Sequence, residues 1–313
     1  MAHKILITGS QGYIGKRLVT ALKVHHQVFG IDIVAAQHAD DSYTQMDIRS
    51  EQLVDLMREQ KITHVVHLAS ILQPSKNPQR DFDIDVNGTK NVLDACVLAE
   101  VKHITVTSSG AAYGYHADNP AWLTEQHALR GNKEFAYSHH KRLIEELLAS
   151  YRSLYPSLGQ LILRPGTVLG KTTANQITAL FKKPRVLAIR GCASPFVFIW
   201  DEDVLAIILQ GVEHNITGSY NLAGDGAMTL QEIAAALNKP LLELPAWLLK
   251  SALWVGKITG LSQYGPEQLD FLRYRPVLCN QALKQQFSYQ PQKTSEQVFR
   301  YYLNHNQELS VDE

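Results

Sequence analysis

The chain has 313 residues, of which 45% are hydrophobic and 19% are charged, as is typical of one large or two modest globular domains. Its 30 basic and 30 acidic side chains cancel, so neither nucleic acid nor a membrane is expected as a partner. Three cysteines lie far apart without a CxxC pair, which argues against disulfides and a metal site and predicts reduced thiols in a cytoplasmic protein.

Strand-like runs rich in Ile and Val alternate with helical patterns from the first residues onward. MAHKILITGS leads directly into a strand, so no secretory signal is expected. The runs KILITG, QVFGID, THVVHLA, HITVTSS and QLILRP are apolar on both faces and are separated by helical segments. This alternation predicts an α/β protein with a doubly wound parallel sheet, a Rossmann fold, whose ligands bind at the carboxyl ends of the strands.

The regular alternation weakens beyond Pro165, where turns and prolines become frequent. We predict a dinucleotide-binding domain over residues 1–168, with segments near 196–223 returning to the sheet. A smaller, mostly helical C-terminal substrate lobe and tail should cover 169–195 and 224–313. Within this lobe, residues 244–261 are strongly apolar but are interrupted by two lysines and are too short to cross a bilayer comfortably, so we interpret them as a packed or lid-forming helix.

Three glycines follow the first predicted strand in TGSQGYIG, residues 8–15. Gly9 permits a tight turn, Gly12 lets the backbone approach a pyrophosphate, and Gly15 brings helix and strand close together. The helix that follows would direct its N-terminus at the anion. The segment, including Tyr13 and Ile14, is therefore predicted to bind a dinucleotide.

The second strand ends at Asp32, 23 positions after Gly9. An acidic side chain there accepts hydrogen bonds from a ribose and repels a 2′-phosphate, and no lysine or arginine follows closely, so we predict NAD rather than NADP as the cofactor. Asp47 ends the next strand in MDIR, beside Ile48, which we also count as a cofactor contact. The Asp47 carboxylate either contacts the adenine amine or caps a turn, and both interpretations stay open.

The segment YSHHK places Tyr137 and Lys141 one helical turn apart, and TSSGAAYG places Ser109 at the end of the fifth strand. On the helix alone, a lysine that reaches into water would be the simpler interpretation. Hydride transfer at a carbinol carbon, however, needs a proton relay, and a tyrosine serves if its pKa falls from about 10 toward neutrality. Because a nearby ammonium would lower that pKa, we predict these three residues as the catalytic group.

These motifs together resemble the extended short-chain dehydrogenase/reductase family, also called the NAD-dependent epimerase/dehydratase family, over roughly residues 4–225. The likeness rests on TGxxGxxG, Asp32, HLAS (67–70), VNGTKNVL (86–93), SSGAAYG, YxxxK and LRPGTVLG (163–170). The resemblance implies that Tyr137 is the acid/base, that Lys141 holds the nicotinamide ribose and lowers the tyrosine pKa, and that Ser109 hydrogen-bonds the reacting oxygen.

The resemblance also implies that Asn87 lies near the cofactor and that Ala69, next to Leu68, lines its path. None of the thirteen histidines is given a catalytic role, and His140 is expected to pack along its helix. The helices that carry Asn87 and Tyr137 form a dimerising four-helix bundle in relatives, so a homodimer stays open here.

Several positions depart from the family pattern. Gly110 and Ala111 stand where family dehydratases carry an acidic pair, which disfavours dehydration. Many nucleotide-sugar epimerases have an asparagine at Thr167 and a diphosphate-binding arginine near Phe196, so a nucleotide-sugar substrate is disfavoured. A set of aromatic residues either lines a more apolar pocket or belongs to the core: Phe196, Phe198, Trp200, Trp247 and Trp254.

These features predict an NAD-dependent oxidoreductase that transfers a hydride at a secondary alcohol or its ketone, with a small molecule as substrate. Two alternatives stay open. One is a nucleotide-sugar epimerase that retains its NAD and returns the hydride to the other face of the substrate. The other is a non-catalytic dinucleotide-binding sensor, against which the complete Ser109, Tyr137 and Lys141 set argues.

Overall fold

Parallel strands alternate with helices in the structure, a computed structural model that describes residues 2–36, 42–259, 265–266 and 268–306. The strands within these ranges are β1 (Lys4–Thr8), β2 (Gln27–Asp32), β3 (Tyr43–Gln45), β4 (His64–His67), β5 (His103–Thr107), β6 (Gly159–Pro165), β7 (Thr167–Leu169), β8 (Val186–Ile189), β9 (Phe198–Trp200), β10 (Gly218–Leu222) and β11 (Leu241–Leu244).

The helices of the same ranges are α1 (Tyr13–Leu22), α2 (Leu53–Glu59), α3 (Pro78–Phe82), α4 (Gly88–Leu98), α5 (Ala136–Leu154), α6 (Gln176–Phe181), α7 (Asp201–Glu213), α8 (Leu230–Ala236), α9 (Ala246–Ile258), α10 (Gln268–Arg273), α11 (Gln281–Gln286) and α12 (Ser295–Asn304). A π-helical turn, Asp83–Asn87, joins α3 to α4, and a 3-10 turn, Gly110–Tyr113, follows β5.

Seven of the described strands form one sheet in the order β10-β6-β5-β4-β1-β2-β3. All neighbours in this sheet run parallel; Thr8 of β1, for example, lies opposite both Ile31 of β2 and His67 of β4. Because the strands are parallel, their carboxyl ends share one edge, where loops can gather around a ligand. The predicted doubly wound Rossmann fold is confirmed.

Both faces of the sheet are buried, which explains why its strands read as continuous apolar runs. Leu6 belongs to a core formed with α2, α4 and α5, whereas its neighbours Ile5 and Ile7 belong to a second core formed with α1 and α7. Since successive side chains of a strand point to opposite faces, one short segment contributes to both layers.

A third core holds the C-terminal lobe together around aromatic rings. Phe196 stacks on Phe198, which in turn stacks on Phe299 of α12, at centroid distances of 5.7 and 5.3 Å. Two small sheets, β7 with β9 and β8 with β11, lie in this region. The chain returns from the lobe to the main sheet at β10, which pairs with β6 at the edge of that sheet.

Candidate active site

A cavity of about 980 Å³ lies at the carboxyl edge of the sheet. Its wall combines the glycine-rich loop after β1, the ends of β2, β4 and β5, the start of α5, and segments of the C-terminal lobe. The predicted site residues on this wall are Gly9, Gly12, Tyr13, Ile14, Gly15, Asp32, Asp47, Ile48, Leu68, Ala69, Ser109, Tyr137 and Lys141. Residues that are distant in sequence therefore share one cavity, and Asn87 is the predicted residue that does not line it.

The glycine-rich loop is built so that only glycines fit at two of its positions. Gly9 has a φ of +70°, and a Cβ atom there would lie 2.8 Å from the backbone nitrogen of Ala69. A Cβ atom on Gly15 would overlap the carbonyl oxygen of Gly9. The helix α1 then begins at Tyr13 without a capping side chain, so its first backbone N–H groups are left for another acceptor.

The acidic residues at the strand ends occupy the part of the cavity near this loop. The Asp32 carboxylate accepts hydrogen bonds from the backbone N–H groups of Gln11 and Val34, at 2.9 and 3.1 Å. Asp47 accepts the backbone N–H of Arg49 at 2.9 Å and pairs with its guanidinium at 2.6 Å, and these hydrogen bonds lower the pKa of Asp47. Asp47 is thus a turn-capping residue that also lines the cavity.

Ser109, Tyr137 and Lys141 lie together where the end of β5 meets the first turns of α5. The Ser109 hydroxyl accepts the N–H of Ala111 at 3.1 Å and so starts the 3-10 turn that follows the strand. The buried Lys141 ammonium donates to the carbonyl oxygen of Thr107 at 3.0 Å and lies 5.7 Å from the centre of the Tyr137 ring. The lysine is therefore fixed against the strand end.

The pKa of Tyr137 moves opposite to the expectation from sequence. Burial raises it, the negative charge of Asp85 raises it further, and a hydrogen bond with Ser109 acts in the other direction. The Lys141 ammonium donates its hydrogen bond to the Thr107 carbonyl. The structure therefore raises the pKa of Tyr137, and the lowering by Lys141 expected from the resemblance stays a prediction.

Asp85, which the sequence reasoning missed, is a buried carboxylate that contacts the cavity wall from behind, through Ser70 and Ile71. It is 2% exposed and accepts hydrogen bonds from Ser70 Oγ at 3.1 Å, from the Ile71 N–H at 2.8 Å and from His140 Nδ1 at 2.9 Å. It therefore ties the loop after β4 to α5. His140 is buried against α3, edge-on to Phe82, so the expectation that it packs along its helix omitted this hydrogen bond to Asp85.

Asn87, two residues later, is exposed and donates to Asp83 at 2.9 Å. Residues two apart on a helical turn point to nearly opposite sides, so Asp85 and Asn87 cannot both face the site. The placement of Asn87 beside the cofactor stays a prediction without support from this arrangement. No motif distinguished Asp85 from its neighbours Asp81 and Asp83 in sequence.

A second buried carboxylate, Glu145, lies one turn after Lys141 on α5 and organises a hydrogen-bond network next to the catalytic group. Glu145 of α5 accepts from the Arg164 guanidinium at 2.6 and 2.8 Å and from Ser108 Oγ at 2.6 Å. Arg164 also donates to the Tyr113 hydroxyl at 2.8 Å. This network joins α5 to the ends of β5 and β6 and fixes the segment that carries Ser109.

The part of the cavity wall formed by the C-terminal lobe is aromatic and includes Arg275, an arginine that the sequence reasoning missed. The Arg275 guanidinium lies 3.9 Å from the Phe196 ring centre and 4.7 Å from that of Phe271. Its Nε is buried and has no hydrogen-bond partner among the described residues, and burial lowers the pKa of Arg275 to about 10. An anionic ligand could accept a hydrogen bond from this group and offset its positive charge.

Only some of the aromatic residues singled out in the sequence reach this cavity. Phe196 lines it, Phe198 is fully buried in the third core, and Trp200 is half-buried. Trp247 and Trp254 lie on the exposed surface of α9 and are not part of the wall. Within the described residues, no cluster of three His, Cys, Asp or Glu side chains is arranged to hold a metal, and no helix is long and apolar enough to traverse a bilayer.

The parallel sheet, the glycine-rich loop and the acidic strand end define a Rossmann-type dinucleotide-binding protein. Within that class, residues 5–222 match the family described as "NAD dependent epimerase/dehydratase family". The chain belongs to this family, which confirms the resemblance seen in sequence.

Curated relatives share part of the chain. An N-acetyl-alpha-D-glucosaminyl-diphospho-ditrans,octacis-undecaprenol 4-epimerase of Escherichia coli O157:H7 is 28% identical over 185 residues, which are 58% of this chain and 54% of that protein. A UDP-glucose 4-epimerase of Lactobacillus helveticus is 32% identical over 156 residues, or 47% and 46% of the two chains. The chain therefore spans about half the length of the curated relatives it matches.

Solved structures resemble the whole chain. The UDP-glucose 4-epimerase of Thermus thermophilus in complex with NAD has a TM-score of 0.73 at 22% identity, over 97% of this chain and 99% of that one. The Bordetella bronchiseptica enzyme WbmG in complex with NAD and UDP has a TM-score of 0.75 at 17% identity, over 99% and 96%. At these identities the likeness establishes the shared fold.

Proposed function

We propose that the protein is an NAD-dependent oxidoreductase that transfers a hydride at a secondary alcohol or its ketone. The observation that carries this proposal is the position of Ser109, Tyr137 and Lys141 on the same cavity wall as the glycine-rich loop and Asp32. A cavity that only bound a dinucleotide would not need a phenol, a hydroxyl and an ammonium together at its inner end.

The residues present fit an NAD cofactor. The uncapped N-terminus of α1 offers backbone N–H groups to a pyrophosphate, and the glycines leave the space that a Cβ atom would fill. Asp32 at the end of β2 would accept hydrogen bonds from the adenosine ribose, and Lys141 would hold the nicotinamide ribose. NAD, when bound, supplies the hydride acceptor or donor.

The catalytic residues then donate one proton to the substrate oxygen or accept one from it. In the reducing direction the protonated Tyr137 donates to the carbonyl oxygen, while the Ser109 hydroxyl donates a hydrogen bond to the same atom. In the oxidising direction Tyr137 must first lose its proton and then accept that of the alcohol. The raised pKa of Tyr137 makes the first direction accessible at neutral pH and moves the second toward alkaline pH.

Arg275 indicates the chemistry of the substrate. A half-buried guanidinium without an ion pair among the described residues would be stabilised by a carboxylate or phosphate on the molecule that enters the cavity. We therefore infer a small secondary alcohol or ketone that carries an anionic group, bound between Arg275 and Tyr137.

Arg275 also favours a second candidate, a nucleotide-sugar epimerase. The sequence argument against such a substrate rested on Thr167 in place of an asparagine and on the missing arginine near Phe196. Arg275 places a guanidinium against the Phe196 ring and so answers the second point. Several relatives and structural neighbours are UDP-glucose 4-epimerases. An enzyme of this kind would use the same catalytic group in both directions within one turnover.

A panel of secondary alcohols, hydroxy acids and nucleotide sugars, with NADH absorbance and product analysis, separates the candidates. A dehydrogenase accumulates NADH in proportion to substrate, whereas an epimerase yields an isomer without net NADH. Tyr137→Phe should abolish turnover and leave NAD affinity nearly unchanged, because the variant removes only the hydroxyl. Tyr155→Phe, at the far end of the same helix region, serves as the control. Full activity of Tyr137→Phe would refute the catalytic assignment.

A further inference from the structure

Three aromatic rings from separate segments of the chain meet on the cavity wall. Tyr115 follows the 3-10 turn, Phe135 precedes α5, and Phe271 belongs to α10. All three line the cavity, and their ring centres lie 4.9, 5.0 and 5.5 Å apart. We call these three residues the aromatic patch. They are not part of the predicted catalytic group.

The aromatic patch connects the catalytic tyrosine to the arginine of the cavity. The ring centre of Phe135 lies 6.5 Å from that of Tyr137. The ring centre of Phe271 lies 4.7 Å from the Arg275 guanidinium, which also covers the Phe196 ring at 3.9 Å. A molecule that contacts both Tyr137 and Arg275 therefore lies along the aromatic patch.

The chemistry of the aromatic patch selects the body of such a molecule. The patch presents ring faces and edges, to which Tyr115 adds a single hydroxyl group. Sugar hydroxyls placed on this surface would lose water without gaining an equal number of hydrogen-bond partners. An aromatic ring would instead gain apolar contact and edge-to-face or offset stacking with the rings of the patch. The patch therefore favours a flat apolar body over one rich in hydroxyl groups.

The two ends of the aromatic patch select the functional groups of the molecule. The Arg275 guanidinium, whose Nε has no hydrogen-bond partner among the described residues, matches the planar geometry of a carboxylate. At the other end, Tyr137 requires an alcohol or ketone oxygen with which it can exchange a proton.

We propose that the substrate is an aromatic carboxylic acid. Its ring lies on the aromatic patch, its carboxylate binds Arg275, and its secondary alcohol or ketone faces Tyr137. This inference rests on the proposed oxidoreductase function and narrows the substrate class of that function. A nucleotide sugar, which the second candidate function requires, is the competing occupant.

Isothermal titration of the full chain, with and without saturating NAD, tests the proposal without requiring turnover. Benzoate, phenylacetate and 3-phenylpropionate hold the carboxylate at three distances from the ring. We expect the tightest of these acids to bind about tenfold tighter than its amide and than gluconate. It should bind about threefold tighter than its cyclohexyl analogue, which has the same charge but no aromatic ring.

Variants separate the contribution of the ring from that of the charge. Phe135→Leu keeps an apolar side chain but removes a ring, so it should weaken the aromatic acid about threefold and leave the cyclohexyl analogue nearly unchanged. Arg275→Leu should remove the preference for the acid over its amide. Tyr155→Leu is the matched control, because Tyr155 is 39% exposed and lies outside the cavity wall. All three variants should keep the NAD affinity and melting temperature of the unaltered protein.

The proposal is overturned if none of the three acids binds, or if gluconate or the cyclohexyl analogue binds as tightly as the best aromatic acid. Equal effects of Phe135→Leu and Tyr155→Leu would also overturn it, as would tighter binding of UDP, the probe for a nucleotide-sugar site. The acid preference is measured by binding alone. It therefore stands or fails separately from the turnover of Tyr137→Phe, which tests the proposed function.

Discussion

Acidification should destabilise the protein through histidines at the amino ends of the strands. The His64 ring is 3% exposed, pairs with Asn215 Oδ1 at 2.7 Å and lies 3.9 Å from the His3 ring. Burial, followed by the neighbouring histidines, lowers the pKa of His64 to about 4, against the partial compensation of Asn215. The folded protein therefore keeps this ring neutral where the unfolded chain would protonate it.

The sign and size of the effect follow from these two pKa values. His64 contributes its full stability above the unfolded value of 6.5, and the contribution is lost as the pH falls from there toward about 4. Between pH 8 and pH 5 the loss amounts to about 2 kcal/mol. The fully buried His67, whose pKa burial lowers to about 3, adds a loss of similar size and equal sign.

Urea unfolding at pH 8 and at pH 5, followed by tryptophan fluorescence, measures the difference. His64→Gln should reduce the pH-dependent loss by about 2 kcal/mol, because glutamine cannot take up the proton. His25→Gln, at an exposed histidine, should leave the loss unchanged. If His64→Gln and the unaltered protein lose stability equally on acidification, His64 is not held neutral by its environment and the reasoning fails.

Two further predictions concern the cavity. Asp85→Asn should lower the pKa of Tyr137, because the variant removes a negative charge that raises it. The pKa is measured from the tyrosinate absorbance that is lost in a Tyr137→Phe background. Asp83→Asn, on the exposed side of the same turn, should leave the pKa of Tyr137 unchanged, and an unchanged pKa in Asp85→Asn would contradict the role given to this charge. Arg275→Leu should lower kcat/KM for an anionic substrate about a hundredfold and leave NAD affinity unchanged, and an equal loss for a neutral substrate would contradict an anion site.

Local motifs made the cofactor side of the cavity predictable from sequence. The loop needs Gly9 and Gly15 because a Cβ atom would strike neighbouring backbone, and that requirement leaves a fixed spacing in the sequence. Asp32 follows from the end of a strand, and Tyr137 with Lys141 follows from one helical turn. Each of these positions depends on a single element and its period.

The rest of the site depends on how separate elements meet. Arg275 lies 138 positions after Tyr137 and reaches the cavity beyond α10, in a region without regular alternation. Asp85 is one of three nearby aspartates: Asp81 is buried in α3, and within the π-helical turn the rotation of the backbone buries Asp85 and leaves Asp83 more exposed. The pKa direction of Tyr137 was beyond sequence for the same reason, since desolvation depends on everything that surrounds the ring.

The negative charge of Asp85 acts on both Lys141 and Tyr137, with opposite consequences for their charged forms. Lys141 is buried, and burial lowers its pKa, whereas the negative charges of Asp85 and Glu145 raise it. Glu145 is already engaged by Arg164 and Ser108, which leaves Asp85 as the principal anion acting on Lys141. The same charge raises the pKa of Tyr137, and each unit of that rise opposes formation of the phenolate by about 1.4 kcal/mol.

Asp85 thus raises the pKa of Lys141 and the pKa of Tyr137 together. His140, Ser70 and Ile71 all hydrogen-bond to the Asp85 carboxylate. Together they fix the position of this negative charge relative to Lys141 and Tyr137. A site arranged in this way protonates a carbonyl oxygen more readily than it deprotonates an alcohol. If the enzyme is an epimerase, which needs both steps in each turnover, the oxidising half should therefore limit its rate at neutral pH and speed up as the pH rises.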